Sequence, residues 1–241
     1  MNVSRNPFLT WLDRSVNECL KYKKQIAFGL VAALLASGLV VGYLFFKNNA
    51  NTSAYKDFIT ALKHYDGVVM TSQERFNDPS VKYFTTEHDK WTQTENIFNQ
   101  GYQKHSRTNL GCMFLAFRAE SLLNLGKIDE ATTLFNEAIN KMPNNDIKDY
   151  YKVKVALIKM DKNDTQGIEE LQKMADTENS IANDLALYKL GAHYWNQKKF
   201  KEAKEYWQRL LVKTGGSQTG HSSPFAQEIK EKLNLFSTEN L

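Results

Sequence analysis

The chain has 241 residues, 24% of them charged, and a formal net charge of +4 at pH 7. Five basic residues before position 26, Arg5, Arg14, Lys21, Lys23 and Lys24, face only Asp13 and Glu18, so the tail carries +3 and the remainder +1. A near-neutral remainder lacks the field that phosphate binding requires, which argues against a nucleic-acid partner. Glycine and proline are scarce, at 12 and 4, and no alternating strand-type run stands out. The expected fold class is therefore all-α: a single N-terminal transmembrane helix followed by a tetratricopeptide-repeat (TPR-like) α-solenoid.

Residues 1–25 read as a basic cytoplasmic tail. From Ile26 to Phe46 the sequence runs IAFGLVAALLASGLVVGYLFF, 21 residues without a charge. A helix of that length rises about 31 Å, against a hydrocarbon core of roughly 30 Å. The competing reading is a signal peptide cleaved near Ala36, Ser37 and Gly38. The apolar run continues well past that point and the preceding tail is long for a signal peptide, which favours an uncleaved signal anchor over 26–46. The basic tail outweighs the later Lys47, Lys56 and Lys63, which puts the N-terminus in the cytoplasm and, in a bacterium, the C-terminal domain in the periplasm, a type II arrangement in the cell inner membrane. Gly38 and Gly42 form a GxxxG that could admit a second helix, although small residues are common in membrane helices generally. With Cys19 and Cys112 on opposite sides of this span, a disulfide between them is excluded.

Residues 47–107 read as a membrane-proximal helical pair, Ser53 to Met70 and Glu87 to Gln103, with apolar positions such as Phe58, Leu62, Trp91, Ile97 and Phe98. The TPR-like repeats occupy 108–214. In CMFLAFRAESLLNLGKIDEATTLFNEAINKMPNN, from Cys112 to Asn145, small residues stand at Ala119, Ala131 and Ala138 and large ones at Leu122 and Phe135. Gly126 falls at the turn and Pro143 closes the unit. Those offsets let two antiparallel helices cross closely and fill the gap between them. A second copy begins at Asp184 and places Leu187, Leu190, Gly191, Tyr194, Phe200, Ala203 and Trp207 at the same offsets. The interval leaves room for a weaker repeat, with helices Asp149 to Met160 and Thr165 to Ala175. Residues 215–241 read as a flexible loop and a capping helix, Phe225 to Leu235, that covers the open end of the stack.

This layout, with the NLGC turn at Asn109 to Cys112, resembles the YfgM family of ancillary subunits of the SecYEG translocon in Gram-negative inner membranes. The resemblance is one of organisation along nearly the whole chain rather than of residue identity. It implies a non-enzymatic role beside the translocon, linking SecYEG to a PpiD-like periplasmic chaperone. A solenoid of this kind presents the first helix of each repeat along a concave face. Here that face would include Met113, Ala116, Glu120, Leu123, Leu185, Tyr188, Ala192 and Trp195. Trp195 either anchors a partner in that groove or packs on the neighbouring capping helix.

No catalytic constellation emerges. His64, His88, His105, His193 and His221 sit in no HExxH or paired-cysteine arrangement, and Gly215 with Gly216 lacks the lysine and helix of a phosphate cradle. Neither cofactor, metal nor small-molecule substrate is expected, and the chain reads as no enzyme. The competing function is a scaffold for another cell-envelope complex, in cell division or envelope assembly, because repeat domains on anchors serve many assemblies.

Overall fold

The computed structural model describes residues 23–70, 78, 80–143, 146–177, 181–215 and 223–239. It is mostly helical, with nine helices among the described residues. The chain divides into two units, Met1–Tyr55 and Lys56–Leu241, and the division falls within the first helix, α1 (Lys23–Tyr65).

In the first unit the backbone of the segment read as a membrane span is helical. The side chains of residues 26–37 and 40 lie outside the described residues. Among the described residues no helix is long and apolar enough to cross a membrane. Those that are described are bare: Leu39, Phe45 and Phe46 are 76%, 75% and 73% exposed. Gly38 and Gly42 have nothing within 4 Å of where a side chain would begin.

The second unit departs from the expected helical pair at one point. The helix read as far as Met70 stops at Tyr65, and Val68–Val69 (β1) pairs in parallel with Tyr83–Phe84 (β2). Two β-branched residues favour the extended backbone, and Gly67 lets the chain pass against the Phe84 ring and the Lys82 carbonyl, where a side chain would collide. Helix α2 (Glu87–His105) then starts at Thr86, whose hydroxyl accepts the Asp89 amide at 3.0 Å. It packs on α3 (Gly111–Asn124), with Gly101 against the Phe114 ring. Phe58, Phe98, Phe114 and Phe117 meet edge-on or tilted at centroid distances of 5.1–6.2 Å, which ties α1, α2 and α3 together.

Six helices follow as three pairs: α3 with α4 (Ile128–Lys141), α5 (Asp146–Asp161) with α6 (Thr165–Ala175), and α7 (Ile181–Asn196) with α8 (Phe200–Gly215). Helices α5 and α6 cover the stretches expected to be helical there, with α5 starting at Asp146 rather than Asp149. Each pair turns through the same device. Gly126, Asn163 and Lys198 adopt left-handed backbone, with φ of 76°, 60° and 61°. Behind them Lys127, Asp164 and Lys199 donate their amides to the carbonyls of Leu122, Lys159 and Tyr194, five residues back, at 2.9, 3.0 and 2.9 Å. This is the Schellman closure, which satisfies carbonyls that a helix end would otherwise leave open.

Two core clusters result. Ala119, Leu122, Ala131, Phe135 and Ala138 centre the first, together with the thiol-bearing Cys112, and Leu187, Leu190, Trp207, Leu210 and Ile229 centre the second. Met142 leaves α4 in extended backbone, as a residue before proline does, which ends the first pair at Pro143. The last helix, α9 (Ala226–Glu239), starts beyond Ser223, whose hydroxyl accepts the Phe225 amide at 3.3 Å. The loop expected from 215 lies outside the described residues between 216 and 222.

Candidate partner-binding surface

The residues expected along one concave face divide between the two cores. Met113 and Leu123 are half-buried against the first cluster, and Ala116 is fully buried within it. Glu120, expected to face a partner, is 7% exposed and paired with Lys154 from α5. Tyr151, Val155 and Ile158 of α5 pack into the same cluster, so a carboxylate there must find a partner inside the fold. The Lys154 ammonium also stands 5.6 Å from the centre of the Phe135 ring. Burial, reinforced by the charge on Glu120, pushes the phenol of neighbouring Tyr151 well above its ordinary range.

Leu185, Tyr188, Ala192 and Trp195 all pack at the margin of the second cluster. Trp195 is half-buried, with its ring 5.3 Å from Phe200 and 5.4 Å from Trp207. Tyr188 lies under the start of the last helix: its ring stacks on Phe225 at 4.4 Å with 13° between planes. Its hydroxyl donates to the Glu228 carboxylate, 2.8 Å from either oxygen. Desolvation, followed by that carboxylate, pushes the Tyr188 phenol up to about 12. Lys232 and Tyr188 in turn hold the Glu228 carboxyl below its ordinary value.

One polar cluster escaped the sequence reading. Asp57 on α1 accepts from Lys104 Nζ at 2.8 Å and pairs with buried His105 through Nε2 at 2.7 Å. The His105 ring stacks on Phe114, 5.7 Å away. These hydrogen bonds, His105 first, draw the Asp57 carboxyl below its ordinary value. Asp57, Thr60, Ile97, Gln100, Gly101 and Lys104 line a cleft of about 210 Å³ beside it. No spacing rule connects Asp57 with a pair nearly fifty positions later, so only the fold brings them together. His193 is half-buried, and burial lowers its pKa, with Lys199 adding to the effect. Among the described residues no group of three or more His, Cys, Asp or Glu could hold a metal ion.

Set against protein-family models, curated proteins and solved structures, the chain matches none.

Proposed function

We propose that this chain is a non-enzymatic scaffold anchored in the inner membrane by Ile26 to Phe46, with a periplasmic TPR-like domain that binds protein partners. The observation that carries the reading is the uncharged 21-residue run behind a basic tail. Three helix pairs closed by the same left-handed turn support the repeat reading. The resemblance of the layout to the YfgM family favours SecYEG and a PpiD-like chaperone as partners, with Met113, Leu123, Tyr188 and Trp195 near the contact surface and Gly38 and Gly42 as a helix contact in the bilayer.

Two experiments test this reading. The full-length chain should stay with the membrane pellet through an alkaline carbonate wash, and release into the supernatant would sink the anchor. Affinity purification from detergent-solubilised membranes should recover translocon or chaperone subunits. Recovery of division or outer-membrane assembly proteins in their place would transfer the chain to another envelope complex.

A further inference from the structure

The last helix is strongly one-sided. Phe225, Glu228, Ile229, Lys232 and Leu233 recur at the i, i+3, i+4, i+7, i+8 spacing of one helix face. Each of these residues has an identified counterpart or place on that side. Phe225 stacks on Tyr188, and Glu228 accepts the Tyr188 hydroxyl. Ile229 is fully buried in the second cluster, Lys232 stands 5.4 Å from the centre of the Trp207 ring, and Leu233 packs at the cluster's margin. The opposite side, Gln227, Lys230, Glu231 and Asn234, is exposed. Helix α9 is thus bound as an amphipathic helical ligand is bound, by periodic anchors on one face.

Its hold is limited. Ile229 is the one α9 side chain that is fully buried among those described, and the stack, the hydrogen bond and the cation-π contact sit at the rim. A helix of 14 residues has little stability of its own in water, so α9 should open before the pairs beneath it. Opening uncovers the Tyr188 ring and one edge of Trp207, a surface already shaped for a helix with this spacing.

We propose that α9 is the resident occupant of a helix-acceptor site on α7 and α8. The partner class it fits is an amphipathic helical protein segment with an aromatic residue, a carboxylate three residues on and an aliphatic residue one further, which displaces α9. This inference rests on the scaffold reading and names the chemistry of its partner. A chain that accepts such a helix yet recovers no translocon subunit would keep the acceptor site and lose the assignment to the translocon.

The test uses the full-length chain and a fluorescein-labelled peptide of residues 223–239 as the probe, read by anisotropy. Ile229→Asp should release α9 and tighten peptide binding about tenfold or more over the parent chain, because the resident helix no longer competes. Adding Tyr188→Ala, or using a peptide with Phe225→Ala, should abolish the gain. A folded Ile229→Asp chain that ignores the peptide, or binds it equally well without Tyr188, overturns the proposal. Should that variant unfold, hydrogen exchange on the parent decides: α9 amides exchanging about tenfold or more faster than those of α8 support a detachable occupant. Exchange of the two helices together overturns it.

Discussion

The indole of Trp207 fills the space that any side chain at position 191 would need. A methyl group on Gly191 would overlap the Nε1 edge of the ring, which is fixed by its own hydrogen bond to the Tyr188 carbonyl at 3.2 Å. Trp207 is fully buried, so it has no free direction in which to yield.

Gly191→Ala should therefore destabilise the chain by about 1–3 kcal/mol, even though alanine favours helix over glycine by about 1 kcal/mol. Thermal melts followed by circular dichroism give the sign, and an unchanged or raised midpoint would show that α7 and α8 cross elsewhere.

Lys198 occupies the position that glycine holds in the first turn, at φ 61°. A left-handed L-residue costs roughly 1–2 kcal/mol that glycine avoids. Lys198→Gly should stabilise the chain by about 0.5–1 kcal/mol, since glycine also loses more entropy on folding. Gly126→Ala should shift the urea midpoint the other way.

Breaking the Glu120–Lys154 pair by Lys154→Met would leave a carboxylate buried without its counterion, at a cost of about 3–5 kcal/mol. Glu120→Leu combined with Lys154→Met should recover most of that loss. If the double variant is no more stable than the single one, the cost lies in packing around Phe135, not in the charge.

Asp57 sets a pH dependence. Because its folded pKa is lowered, its pairing contributes fully above the ordinary carboxylate range and is lost as pH falls through the folded value. Asp57→Asn should cost about 1 kcal/mol or less near pH 7, the side chain being 41% exposed and screened by solvent. Parent and variant should converge once the pH has fallen through the folded value. A gap that persists there would assign the effect to the shape of the side chain.

Trp195→Ala distinguishes a docking residue from a packing one. Its ring contacts with Phe200 and Trp207 predict a loss of about 2 kcal/mol, below the figure for a fully buried tryptophan because it is only half-buried. A melt matching the parent would return Trp195 to the docking role.

Helices and their pairing were legible because small and large residues recur at fixed offsets. Ala119, Ala131, Ala138 and Ala203 are all fully buried, and Leu187, Leu190 and Trp207 lie in the core. Of the turns, Gly126 carries the clear mark of left-handed backbone and Asn163 a weaker one, since asparagine enters that region more readily than most side chains, while Lys198 carries none. The groove was harder to read. Offsets place Glu120 and Tyr188 on equivalent helix faces, but whether such a face stays open depends on what packs over it. Lys154 of α5 meets one residue, and Phe225 before α9 covers the other. The strand pair escaped because two residues are too few to show alternation.

Cys112 sits in the first core, its thiol donating to the Asn109 carbonyl at 3.6 Å, and burial raises its pKa. Thiolates, not thiols, attack alkylating reagents, so this buried sulfur stays unreactive while α3 is in place. Its modification rate, followed in the peptide that contains it and apart from Cys19, becomes a clock for the opening of the first helix pair. That clock runs independently of the pair at the far end of the sequence, which holds Trp195 and Trp207 and which indole fluorescence would follow once Trp11 and Trp91 are replaced.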